Sequence, residues 1–186
     1  SFTQSNRDEM ISLLARTRSL NSIWSKCVRR ECMGVEDDFA RFGRIQNGED
    51  LIQSVSIIER SRSFAAIEAP LYYYRANEAS ITRTFRESDL SDVVVARGEL
   101  HAFLERECAS PGLERAACSV DYMQAVDTAQ SLCLSSTPWE QSLEMLDEFI
   151  ASGFYQRAVT GCGGIGSLRL DYRPLAPLLT KRRYGA

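Results

Sequence analysis

The chain has 186 residues, 44% of them hydrophobic and 25% charged, which excludes a disordered segment and is enough for one sizeable core. A net charge of −3, with no basic cluster beyond Lys181-Arg182-Arg183 at the end, argues against nucleic-acid binding. No apolar run reaches the roughly 18 residues a membrane span needs, and no signal peptide is visible.

In chain order, an apolar stripe of Met10, Ile11, Leu13 and Leu14 predicts a helix over Arg7 to Arg16. Ile23 to Val28 alternates apolar and polar residues and reads as a short strand. Glu36 to Gly48 reads as loop. A helix then resumes after Asn47, the expected N-cap, with Leu51, Val55 and Ile58 on one buried face. Two extended runs follow, 64–68 and 71–75, separated by Pro70; Asn77 to Thr84 reads as loop.

From about residue 87 the pattern is nearly all helical. A first helix is expected from Ser88 or Asp89 to about Glu107, with Leu90, Val93, Val94, Leu100 and Leu104 inward. Ser110-Pro111 starts a second, running to about Cys133. Thr137-Pro138-Trp139-Glu140 has the form of a capping box and starts a third, with Leu143, Leu146 and Ile150 as its stripe. A short helix over Phe154 to Val159 follows, and the last 25 residues read as irregular. The expected fold class is therefore α+β and mostly helical. A few short strands occupy residues 1–86, and a bundle of about three long helices occupies 87–186.

Six cysteines, none at C-x-x-C spacing, read as reduced and mostly buried thiols of a cytoplasmic protein. The start at Ser1, without methionine, fits a processed or excised segment whose upstream sequence is missing.

The candidate site is the helix start at Glu49-Asp50. A helix N-terminus fixes a carboxylate rigidly, as a general base requires. It also attracts acids for its dipole alone, worth about 0.3–1 kcal/mol. Adjacent helical residues point about 100° apart, so the two acids cannot share a proton, and the helical wheel does not choose between them. Gly161-Cys162-Gly163-Gly164-Ile165-Gly166 matches G-x-G-x-x-G but has only 20 residues after it, Pro174 and Pro177 among them, and reads as a loop. Glu36-Asp37-Asp38 lacks a second ligand cluster and reads as solvated loop. His101 has no cysteine or acid at ligand spacing and reads as structural. No metal ligands are assigned.

The succession Ile23-Trp24-Ser25-Lys26, Arg29-Arg30-Glu31, Gly48-Glu49-Asp50-Leu51, Pro70-Leu71-Tyr72-Tyr73-Tyr74-Arg75 and Ser80-Ile81-Thr82 resembles the C-terminal, acceptor-side part of bacterial family 2 glycosyltransferases. The resemblance covers about residues 20 to 84. It implies a partial GT-A fold over residues 1–86, with the helical region as a variable tail.

It further implies an inverting transferase that moves a sugar from a nucleotide sugar to a hydroxyl of a glycan acceptor. Asp50 would be the base and Glu49 its catalytic neighbour. Trp24, Lys26, Tyr74, Arg75, Ser80 and Thr82 would line the substrates. Mg²⁺ or Mn²⁺ would be held by a D-x-D motif of a nucleotide-binding half. This sequence has neither the motif nor that half, so the chain alone should be inactive. The implied location is cytoplasmic, at most at the inner face of the membrane. The rival reading is a non-catalytic module whose helices bind a protein or self-associate.

Overall fold

The computed structural model describes residues 2–34, 38–67, 69–70, 72–73 and 85–182. The fold is α+β and mostly helical. Strand β1 (Phe2–Asn6) leads into helix α1 (Arg7–Arg16), and three 3-10 turns follow at Ile23–Ser25, Arg30–Cys32 and Phe39–Phe42. Helix α2 (Glu49–Arg60) and strand β2 (Ser63–Ile67) complete the first stretch. The remainder is α3 (Ser88–Arg106), α4 (Pro111–Cys133), α5 (Trp139–Ala151), α6 (Gly153–Gly161), a 3-10 turn at Ile165–Ser167 and α7 (Leu175–Thr180).

β1 and β2 pair antiparallel, from Phe2 opposite Ile67 to Asn6 opposite Ser63. Two strands alone are marginal in water. Here β1 runs directly into α1, β2 follows α2 after two residues, and Phe64 packs on the neighbouring core. Asn6 ends β1 and caps α1, its Oδ1 accepting from Glu9 N at 2.8 Å. Arg7 then reaches across to Glu107 beyond the end of α3, with Nη2 to Oε1 at 2.6 Å and Nη1 to Oε2 beside it. This hydrogen bonding, above all, draws the Glu107 carboxyl below its ordinary pKa.

Two apolar clusters build the core. Ile11, Leu14, Leu51, Val55 and Ile58 from α1 and α2 pack with Ala96, Leu100, Phe103 and Leu104 of α3. The second cluster lies among α4, α5, α6 and α7, with Tyr122, Leu132, Leu146, Phe149, Phe154 and Tyr155 at its centre. α3 serves both, since Val93 belongs to the second. Full burial of each such side chain stabilises by about 1.5–3 kcal/mol.

Several local expectations are corrected. Ile23 to Val28 is not a strand. Lys26 N bonds Ile23 O at 2.9 Å and Ser25 Oγ bonds Ser22 O at 2.9 Å, so local hydrogen bonds curl the segment into a turn. The N-cap of α2 is Gly48, not Asn47, and that of α5 is Pro138, not Thr137. Ser135 Oγ engages both the N–H and the hydroxyl of Thr137, so the helix begins one residue later. The last stretch is not wholly irregular. Pro177 falls in the first turn of α7, where a missing N–H costs no helical bond. Tyr122 Oη then donates to Ala176 O at 3.0 Å. Tyr72 and Tyr73 lie outside any strand; residues 71, 74 and 75 of that extended run are outside the described residues.

Of the six cysteines, all unpaired, only Cys118 and Cys162 are buried. Cys27 lies between the first two 3-10 turns, Cys32 ends the second, and Cys133 is the last residue of α4. Cys108 sits just past the end of α3 with φ of 50°, the left-handed position that glycine usually takes. There Cys108 N bonds Glu105 O and Ala109 N bonds Leu104 O, both at 3.0 Å, closing a Schellman motif. Cys108→Gly is expected to stabilise the protein by about 0.5–1 kcal/mol, since a left-handed side chain costs roughly 1–2 kcal/mol and glycine's unfolded-state freedom takes part of that back. An unchanged or lower melting temperature contradicts this.

Candidate functional site

The start of α2 is aimed by α3. Asp92, which is 4% exposed, accepts from Gln46 N at 3.0 Å and Asn47 N at 3.1 Å through one oxygen. A carboxylate distant in sequence thus fixes the loop that enters α2, while the N-cap itself, Gly48, offers no side-chain bond to the first turn. Gly48 has φ of 101°, and a Cβ there would stand 2.6 Å from the Ala96 side chain. Only glycine lets the loop press this closely on α3 in that conformation. Leu51 N and Ile52 N then bond to Gly48 O, and the helix is under way.

The two acids part at this point. Glu49 is exposed. Asp50 is half-buried and turned toward the Ile23–Ser25 turn, its Oδ2 accepting from Ile23 N at 3.3 Å. The described residues give its other oxygen no hydrogen bond. Lys26 closes the turn from the other side, with Nζ donating to Leu20 O and Ser22 O, both at 2.6 Å. Burial lowers the Lys26 pKa, and the Asp50 charge opposes that shift. α2 also holds the turn lower down, where the buried Ser54 Oγ donates to Asn21 O at 3.0 Å.

Trp24, carried by the same turn, stacks on Tyr72 with ring centroids 4.8 Å apart and planes 31° apart. Both rings stay about half exposed, at 51% and 58%. Asp50, Lys26 and Trp24 are therefore gathered at one place. Tyr72, read from sequence as part of an extended run, joins them. Tyr74, Arg75, Ser80 and Thr82 lie outside the described residues.

A second polar group lies between α3 and α4. Arg97 and His101 are one turn apart on α3, and Glu114, Cys118 and Asp121 fall at i, i+4 and i+7 on α4. Arg97 Nε donates to Asp121 Oδ1, and Nη2 donates to Ala117 O at 3.3 Å. Nη1 is buried without a partner among the described residues. His101 Nε2 is 2.5 Å from Asp121 Oδ2, and Nδ1 is 3.2 Å from Glu114 Oε2. Burial, with the nearby carboxylates of Asp121 and Glu114, pushes the Cys118 thiol up to about 11. His101 thus has acids and a cysteine beside it after all. They come from the facing helix, where spacing along its own helix gives no sign of them. Beside His101 opens a cavity of about 550 Å³, also lined by Gly98, Glu105, Cys108, Glu114 and Arg157.

The resemblance assigns Mg²⁺ or Mn²⁺ to a D-x-D-bearing half and not to the start of α2. Asp50 is met there by a backbone N–H and by the charge of Lys26. Among the described residues, the one cluster of three potential ligands is His101, Cys118 and Asp121, in the α3–α4 interface. Its sulfur and imidazole donors are not those a hard oxygen-seeking ion selects.

No helix among the described residues is long and apolar enough to cross a membrane. Comparison with protein-family models, with curated proteins and with solved structures finds no match to this chain.

Proposed function

We propose that the chain is the acceptor side of an inverting glycosyltransferase of the family 2 kind, with Asp50 as its base. The observation that supports this is the convergence at the start of α2 of the half-buried Asp50, the turn clamped by Lys26, and the half-exposed Trp24–Tyr72 pair. A carboxylate on a rigid helix start beside an open aromatic surface suits a sugar hydroxyl. Apolar ring faces take the pyranose, and the carboxylate takes the hydroxyl hydrogen.

In the reaction, the acceptor oxygen forms a bond to the anomeric carbon of the donor. The bond from that carbon to the nucleoside diphosphate breaks, and the diphosphate leaves with the electron pair. The acceptor proton passes to Asp50. Glu49 orients the acceptor or the loop that carries it. Lys26 holds the Leu20–Ser22 backbone so that Ile23 N–H meets Asp50. Arg75, Ser80 and Thr82 line the diphosphate or acceptor side. The nucleotide sugar and any divalent ion belong to a half bearing D-x-D, and no step here runs through that ion. A cytoplasmic location goes with this reading, in keeping with six unpaired cysteines.

The test is stereochemical. A protein joining this chain to a D-x-D-bearing half is supplied with nucleotide sugar and glycan acceptor, and the product anomer is assigned by NMR. A single displacement driven by one base gives the configuration opposite to the donor's. A product that retains the donor configuration, or a failure to transfer, overturns the proposal.

A further inference from the structure

The buried polar group between α3 and α4 takes no part in the proposed transfer. Its three potential ligand atoms, on His101, Cys118 and Asp121, all lie within 4.8 Å of one another, and all three residues are buried. We propose that these three residues bind one Zn²⁺-class ion, a borderline-soft cation suited to mixed nitrogen, sulfur and oxygen donors.

The neighbours are those that such a site requires. A metal-bound histidine keeps its ring in place by bonding the other nitrogen to a carboxylate, and a bound carboxylate is itself held by a donor. Here Glu114 faces His101 Nδ1 at 3.2 Å, and Arg97 Nε donates to Asp121 Oδ1, leaving His101 Nε2 and Asp121 Oδ2 toward each other. Metal bonds of about 2.0–2.3 Å set tetrahedral ligand atoms roughly 3.3–3.8 Å apart. Binding therefore opens the 2.5 Å contact between His101 and Asp121 and draws the sulfur inward. The cavity beside His101 is lined also by Glu114, so it opens next to the outer partner of the ring.

The protons balance through Cys118: its S–H bond breaks, the proton goes to solvent, and three bonds form from the ion to sulfur, His101 Nε2 and Asp121 Oδ2. A hydrogen held on His101 Nε2 moves to Nδ1, which faces Glu114 Oε2, or to solvent. With the imidazole neutral, the Asp121 and Glu114 carboxylates and the Cys118 thiolate set three negative charges against the three positive charges of the ion and the Arg97 guanidinium, which answers the objection of an uncompensated charge in the interior.

Co²⁺ serves as the spectroscopic probe, with Zn²⁺ as competitor. The protein carries serine at the four less buried cysteines, Cys27, Cys32, Cys108 and Cys133, so that Cys118 and Cys162 alone remain. One Co²⁺ per chain is expected, with a thiolate-to-cobalt charge-transfer band, proton release on binding, and displacement by Zn²⁺. Adding Cys118→Ser should abolish the band. Glu114→Gln should keep the band and weaken binding by about 10–100-fold, the usual effect of losing an outer-shell partner. Circular dichroism checks that each variant is folded. If Cys118→Ser does not fold, Glu114→Gln and the release of the thiol proton decide. The proposal is overturned if no one-to-one complex forms, if the band survives Cys118→Ser, or if Glu114→Gln binds as tightly as the parent; the cluster is then a polar network only.

Discussion

Replacing Asp121 by alanine is expected to lower the free energy of unfolding by about 3–5 kcal/mol. Asp121 is 1% exposed and holds Arg97 with one oxygen and His101 with the other. Without it, the guanidinium stays in the interior at 3% exposure, with Ala117 O as its remaining acceptor among the described residues and Nη1 already unsatisfied. The cost comes from an abandoned charge more than from a lost attraction. Domains of this kind are commonly stable by about 5–15 kcal/mol, so the variant should be marginal.

The physical cause can be separated from simple loss of packing. Replacing both partners, Arg97→Met with Asp121→Leu, removes the charge along with its counter-ion. That double variant should be clearly more stable than Asp121→Ala alone. Urea unfolding of both variants is the measurement. A loss below about 1 kcal/mol for Asp121→Ala, or a double variant no better than the single, contradicts the structure's assignment of this pair.

Much of the helical architecture was legible in the sequence, because it rests on local signals. Met10 to Leu14 gave α1, and its bounds match Arg7–Arg16. Ser110-Pro111 marked the start of α4, where Ser110 Oγ does accept from Leu113 N. Leu51, Val55 and Ile58 are buried as their spacing implied. Errors arose where a distant residue takes over a local task. Asn47 has the chemistry of an N-cap, yet Asp92 on α3 satisfies the loop and Gly48 takes the cap position. The alternation of Ile23 to Val28 suggested a strand, but that pattern does not say whether a partner edge is available. β1 was missed because its partner is about sixty residues away.

The candidate sites divide in the same way. Glu49-Asp50 was visible as a helix start, and periodicity left the two acids equivalent. The fold distinguishes them, because only Asp50 turns to Ile23 N. His101 looked structural because the acid and the cysteine that meet it, Asp121 and Cys118, come from the facing helix and not from its own. Glu114, Cys118 and Asp121 sit on α4, and their i, i+4, i+7 spacing was the one sign that a helix facing α3 carried a polar stripe.

The most direct test of the proposed chemistry is Asp50→Asn in the protein that joins this chain to its D-x-D-bearing half. Asparagine keeps an oxygen for Ile23 N–H, so the 23–26 turn and the start of α2 should stay in place. It cannot take the acceptor proton. A positioned base contributes typically about 10²–10⁴-fold, so kcat for transfer should fall by that factor while the KM for acceptor changes little. Glu49→Gln, altering the exposed neighbour, should lose much less. Transfer by Asp50→Asn within a few-fold of the unmodified enzyme, or a larger loss for Glu49→Gln, would contradict Asp50 as the base.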